Sequence, residues 1–375
     1  MSDKNWYFPK NADQLISPAL LFYPDRIRYN IEQMIQISGD PGRLWTHVKT
    51  HKNAEIIGMQ IEAGIDKFKC STLSEAELLG RCGAKEALLA MQPTNVHLET
   101  YLKLAKNYPG TGFSTLVDNE GTLTMIGEQA RASGRKIRLW LDINNGMNRT
   151  GIIPGAEAVN LFESMNADPW IECLGIHVYD GHIHDPELEI RAKKCQEAMQ
   201  PVLEMLDAIA SRGLEVEKII AGGSPTFALH AVNKDLDLSP GTTLLWDAGY
   251  GKNYPDLPFK PAAALLSRVV SKPSPGMACT DLGHKSVASE MGFPRIHFLN
   301  LESCDQISQS EEHLVLRCEN TEDLAIGSPI FALPLHICPT VAKYDKAAIV
   351  VEDVVDGSWW ISARNHDPSG IKKQN

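Results

Sequence analysis

Between residues 42 and 247 the chain alternates short apolar runs with amphipathic stretches, and this rhythm restricts the fold more than any other feature. The runs are RLWTHVK (43–49), KFKCS (67–71), EALLAMQ (86–92), GFSTLVD (112–118), KIRLWLDI (136–143), IECLGIHVY (171–179), VEKIIAGG (216–223) and TTLLWDA (242–248). Each but the last is followed by a helix-like segment. AEIIGMQIEAG ends at Gly64, and SEAELLGRCG offers Ser74 and Glu77 as a capping box with Gly83 as its stop. A longer segment over 186–212 closes at Gly213. Strands that alternate with helices are joined by crossovers, so they run parallel. Eight such units in roughly 200 residues match a TIM (β/α)8 barrel, and a doubly wound open sheet satisfies the same pattern. In either fold, chemistry collects where strands end and loops begin.

After residue 248 the texture changes. Proline and glycine cluster in PDLPFKP and SKPSPG, and alternating runs follow, among them RIHFLNLES, HLVLRCE, SPIFALPLH, KAAIVVEDVV and SWWISAR. This pattern predicts a separate β-rich domain. LISPALLFY (15–23) precedes the first barrel unit and is placed to pair with that domain. The expected division is a barrel over 24–245 and a β-rich domain made of 1–23 and 246–375.

A chain of 375 residues, 43% hydrophobic and 22% charged, has room for one large or two medium globular domains. Its net charge of -11 opposes phosphate backbones and anionic membrane surfaces, so neither nucleic acid nor membrane is an expected partner. The start, MSDKNWYFPK, has no apolar signal segment, and no run reaches the roughly 20 apolar residues of a membrane span. The eight cysteines are scattered without a CxxC, which reads as reduced thiols in a cytoplasm.

Five segments carry candidate chemistry. HVKTHK closes the first apolar run and sets Lys49 among His47, His51 and Lys52, a basic neighbourhood for a lysine nucleophile. AGGSPTF follows the seventh run. Its glycines expose backbone N–H groups, and Ser224 is placed to cap a helix starting at Pro225, an anion cradle or a plain capped turn. DINNGMNRTG follows the fifth run, where Arg149 reaches for a ring nitrogen or a carboxylate, or is a surface arginine in a turn. HVYDGHIHD follows the sixth run with Tyr179, His182 and His184, a metal-binding His-x-His or a polar loop. LPLHICPTV lies in the β-rich domain. On a strand, His336 and Cys338 would share one face and one metal ion, or form a buried core pair.

The order of these segments resembles the fold-type III pyridoxal phosphate (PLP) enzymes, and among them the D-threonine aldolase and D-serine dehydratase family. The resemblance runs from SPALLFY at residue 17 to SAR at residue 364 and includes PGTTLLWD (240–247) and DLGHKSVASE (281–290). It implies an alanine racemase-like barrel with a PLP imine on Lys49, the first lysine of the family's H-x-K-x-H-K. It places Arg149 on the pyridine nitrogen and Tyr179 and His47 near the cofactor. Gly223, Ser224 and Thr226 would hold the phosphate. His336 and Cys338 would bind a divalent metal, zinc before manganese, and the protein would be a homodimer. Where the family usually has Arg-Pro before the first histidine, Trp45 and Thr46 stand here. Aldolases tend to carry aspartate at the second metal position and dehydratases cysteine, as here. The implied activity is metal-assisted lysis of a β-hydroxy-D-amino acid, by dehydration before retro-aldol cleavage. Lys49 would take the α-proton, and His51 or His182 would assist. An amino-acid racemase and a non-catalytic PLP-binding barrel are the competing functions.

Overall fold

In the computed structural model, residues 5–368 are described, so both outer ends of the expected β-rich domain, 1–4 and 369–375, lie outside the described residues. β1 (Ala19–Phe22) and α1 (Pro24–Ser38) come first. Eight strands follow: β2 (Trp45–His47), β3 (Lys67–Cys70), β4 (Glu86–Leu89), β5 (Gly112–Val117), β6 (Ile137–Ile143), β7 (Ile171–Val178), β8 (Ile219–Ala221) and β9 (Leu236–Leu238). Between them lie α2 (Ala54–Glu62), α3 (Leu73–Arg81), α4 (Asn95–Asn107), α5 (Glu120–Ser133), α6 (Ala156–Ala167), α7 (Leu188–Ser211) and α8 (Phe227–His230). The strands are parallel in sequence order, and a bridge from Leu44 to Leu238 joins the last to the first. The sheet is therefore a closed barrel and not an open doubly wound one.

The barrel interior is filled by Trp45, Leu88, Leu116, Trp140, Leu174 and Ile220. Trp45 and Trp140 meet edge to face with ring centroids 5.4 Å apart. Their N–H groups are satisfied: Trp45 donates to Asp237 Oδ2 at 2.8 Å and Trp140 to Ser114 Oγ at 3.0 Å. Burying each large apolar side chain stabilises the barrel by about 2–3 kcal/mol.

Three local expectations fail. The eighth strand is Leu236–Leu238, whereas TTLLWDA forms a 3-10 turn (Thr242–Leu244) and leads into α9 (Ala248–Asn253). Residues 242–247 are all buried, and burial alone makes a run apolar whatever its backbone. The capping residue of α3 is Thr72, whose hydroxyl accepts from Glu75 N while Glu75 Oε2 accepts from Ser71 N, so the cap lies two residues before Ser74. Ser224 caps no helix. α8 begins only at Phe227, behind Thr226.

β10 (Ala263–Ser271), β11 (Met277–Thr280), β12 (Ile296–Phe298), β13 (Cys304–Gln309), β14 (Leu314–Cys318), β15 (Pro329–Pro334), α10 (Ile337–Val341), β16 (Lys346–Val351) and β17 (Val354–Trp360) complete the chain. With β1 the nine strands form a mixed sheet, ordered β13-β14-β11-β10-β1-β16-β17 with β12 and β15 attached. β1 pairs antiparallel with β10 and parallel with β16, so LISPALLFY does join the β-rich part. Its core includes Leu21, Tyr23, Ala264, Leu266 and Phe331. Cys304 and Cys318 face each other across β13 and β14 and form a disulfide, contrary to the expectation of reduced thiols throughout. The other six cysteines form no disulfide. Nothing in their sequence spacing singles out this pair; strand register does.

By contact the chain forms two compact units. Among the described residues, one takes 5–33, Thr50–Ile56 and Thr242–Arg364; the other takes Met34–Lys49, Ile57–Gly241 and 365–368.

Candidate active site

The barrel unit contains a cavity of about 520 Å³ at the carboxyl ends of its strands. Its wall includes His47, Lys49, Lys69, Asp142, Arg149, His177 and Tyr179. β2 ends at His47, and one 3-10 turn over Val48–Thr50 carries Lys49 just past the strand end. His47 accepts from Lys49 N on Nδ1 at 3.3 Å, and its Nε2 lies 3.0 Å from Ser71 Oγ.

Three cations surround the ring of Tyr179. Lys49 Nζ lies 5.9 Å from its centroid, Arg149 Cζ 5.2 Å and Lys69 Nζ 5.1 Å. Among the described lining residues the one carboxylate is Asp142, and it accepts from His177 Nδ1 at 2.7 Å. The wall thus carries more positive than negative charge, which suits an anionic ligand.

Lys69, Asp142 and His177 were missed in the sequence. Lys69 is buried, donates to Ser239 Oγ at 2.7 Å and faces His177 Nε2 at 3.4 Å. Burial, then the neighbouring charge of Lys49, brings the Lys69 amine down to about 7. Burial also holds the His177 imidazole below its ordinary range, with Lys69 acting in the same direction. A lysine in the middle of the apolar run KFKCS was the available signal, because a charge there must face the barrel interior or its mouth.

The segment after β8 is a tight turn. Gly222 has φ +79°, and a Cβ there would lie 2.9 Å from His230 Cδ2. A Cβ on Gly223 would lie 3.0 Å from the Tyr179 ring. Thr226 Oγ1 accepts from Gly223 N at 3.0 Å and donates to Asp180 Oδ1 at 2.8 Å. Asp180 Oδ2 in turn accepts from His230 Nε2 at 2.6 Å. The Thr226 hydroxyl is therefore committed to shaping the turn. Ser224 Oγ accepts from Gly241 N at 3.1 Å. Asp180, His230 and Cys195 bring their donor atoms within 4.8 Å of one another. An ion there would have to displace both hydrogen bonds of Asp180 and deprotonate a thiol that burial pushes up to about 12. His184 is exposed and bonds the carbonyl of His182 at 2.8 Å, which does not pair the two rings on one ion.

In the other unit, His336 and Cys338 do not share a strand. β15 ends at Pro334, His336 is the N-cap of α10 and Cys338 lies inside it. The turn into the helix still brings them together, and Cys338 is the largest influence raising His336 to about 9. His336 Nδ1 donates to Glu290 Oε1 at 2.6 Å, which leaves Nε2 for another partner. Cys338 Sγ lies 3.2 Å from Thr50 Oγ1 and 3.7 Å from Thr242 Oγ1. Asp247, buried and raised to about 6 mainly by that burial, accepts from Ile337 N at 2.9 Å and so fixes the peptide between the pair. His51, expected as a helper, is wholly buried with Nε2 unpartnered.

A family model for the alanine racemase N-terminal domain matches residues 23–247, and one for a serine dehydratase domain matches 262–350. D-threonine aldolase of an Arthrobacter species is 27% identical over 85% of this chain and 84% of its own. The D-threonine aldolase structure from Filomicrobium marinum superposes with a TM-score of 0.87 at 27% identity, covering 95% of this chain and 97% of that one. D-threo-3-hydroxyaspartate dehydratase of a Delftia species is 24% identical over 92% of this chain and 97% of its own. Structures of that dehydratase include a histidine-to-alanine variant and, two positions on, a cysteine-to-alanine variant in metal-free form.

Proposed function

Because the chain belongs to the alanine racemase N-terminal-domain family, we propose that it is a PLP- and metal-dependent lyase acting on a β-hydroxy-D-amino acid, by dehydration before retro-aldol cleavage. The observation that carries this is the cavity that gathers Lys49, Arg149 and Tyr179 under an excess of positive charge. Its volume falls in the range of roughly 300–1,000 Å³ that holds small ligands and cofactors. A phosphate-bearing aldehyde fits such a wall, with an amine to capture it and cations to balance it.

The roles divide as follows. Lys49 Nζ would hold the cofactor, and its amine would be the base for the α-proton. Arg149 would serve the cofactor's ring nitrogen, and Tyr179 and His47 would flank the ring. Gly223, Ser224 and Thr226 would hold the phosphate, Thr226 by setting the turn. His336 and Cys338 would hold the metal, a donor set that favours zinc, with manganese second. PLP supplies a conjugated ring that accepts charge from Cα, and the metal supplies a Lewis acid for the substrate's β-hydroxyl. A racemase needs no His336–Cys338 pair.

Dehydration is preferred because the second metal position is Cys338. The protein is expected to work as a homodimer. No described helix is long and apolar enough to cross a membrane.

The test is a panel of D-serine, D-threonine and D-3-hydroxyaspartate with product analysis. Keto acid and ammonia support dehydration, whereas glycine and an aldehyde replace it with cleavage. Undiminished turnover after rigorous removal of metal contradicts the metal role.

A further inference from the structure

We propose that Lys69 is a further cofactor-binding residue, whose amine takes up a proton as the anionic cofactor enters and then stands as its counter-charge. The inference rests on the proposed PLP site and on Lys49 as its covalent residue.

The geometry comes first. Lys69 is only 3% exposed, yet it belongs to the cavity wall beside Lys49 and Arg149. Two of its three N–H directions are accounted for, one on Ser239 Oγ at 2.7 Å and one towards His177 Nε2 at 3.4 Å. Both partners are themselves fixed. Ser239 Oγ donates to Gly222 O at 2.7 Å, and His177 Nδ1 to Asp142 Oδ1 at 2.7 Å. A lysine ammonium has three donors, so one remains for the cavity.

The charges that face Lys69 explain why it responds to a ligand. Lys49 and Arg149 oppose its protonation, and Asp142 and Asp180 favour it. Burial is the largest influence, and together they leave the amine near 7. Burial and Lys69 itself hold His177 below its ordinary range, and the His47 ring bonds Lys49 N and Ser71 Oγ. A ligand bearing a phosphate dianion adds negative charge to this wall. It must favour the ammonium form, and by linkage the ammonium must favour the ligand. At neutral to alkaline pH the amine then draws one proton from solvent as the ligand binds.

The experiment titrates apoprotein, stripped with hydroxylamine, with PLP in two buffers of different ionisation enthalpy. At about pH 8.5 wild type is expected to take up roughly one proton per site more than Lys69→Met, and at about pH 6 no more than the variant. PLP affinity of Lys69→Met is expected to fall roughly a hundredfold or more at about pH 6, with the gap narrowing as pH rises. Lys69→Arg keeps a permanent charge, so it should bind PLP without the extra proton. Should Lys69→Met fail to fold, wild type against Lys69→Arg decides the same question. Equal proton counts in wild type and variant at alkaline pH overturn the proposal. Borohydride reduction and peptide mapping separate the two failures. A pyridoxyl group on Lys49 with equal proton counts sinks the role of Lys69 alone. A pyridoxyl group on Lys69, or none, sinks the Lys49 assignment and the role of Lys69 with it.

Discussion

Replacing Asp180 by alanine tests how the turn after β8 is held. The Asp180 carboxylate is 1% exposed and accepts from Thr226 Oγ1 at 2.8 Å and His230 Nε2 at 2.6 Å. Both donors are buried, at 0% and 6% exposure. Alanine would leave the buried His230 N–H without this acceptor and the Thr226 hydroxyl with only the Gly223 carbonyl at 3.4 Å. At about 1–3 kcal/mol for each weakened or unmade bond, the expected loss is about 2–4 kcal/mol in urea unfolding followed by near-ultraviolet circular dichroism. Thr226→Val shares one of the two bonds, so the double variant should lose less than the sum of the singles, by about 1 kcal/mol. A loss below about 1 kcal/mol, or full additivity, would refute the reasoning.

Two further outcomes follow from buried or paired histidines. His51 is wholly buried, and that burial lowers it to about 3 from 6.5. Its contribution to stability is complete above 6.5 and declines as pH falls from 6.5 towards 3, by at most about 1.4 kcal/mol per pH unit. His51→Gln should flatten that decline in a pH series of unfolding curves, and an unchanged slope would contradict the cause given. Glu290→Ala removes the carboxylate that holds His336 Nδ1. Zinc affinity measured by dye competition should weaken roughly 10–100-fold, and unchanged affinity would show that His336 needs no such support.

The barrel was legible in the sequence because its signal is repetitive. Seven of the eight apolar runs contain strands at the expected places. The eighth was misplaced because Leu236–Leu238 is three residues long, while the buried run over 242–247 is longer and more apolar. Lys49, Arg149 and Tyr179 all lie at strand ends, and the structure places them on one cavity. Lys69 and His177 stayed hidden because they sit within strand-like runs, where a polar residue is read as a packing exception. Their partners Ser239 and Asp142 come from distant segments, and only barrel closure brings them together. Glu290 and Asp247 were hidden for the same reason, being 46 and 90 residues from the positions they support. His336 and Cys338 were found by spacing, but through a strand that is in fact a helix start. A spacing of two brought them together by a different backbone than the one assumed.

The central claim is that PLP is carried by Lys49. Purified protein is reconstituted with PLP, its visible absorbance recorded, and the complex reduced with borohydride and mapped by mass spectrometry. The account predicts a visible band, a pyridoxyl group on Lys49, and loss of both in Lys49→Ala. A band that persists in Lys49→Ala, or a pyridoxyl group found on Lys69 in wild type, would contradict it.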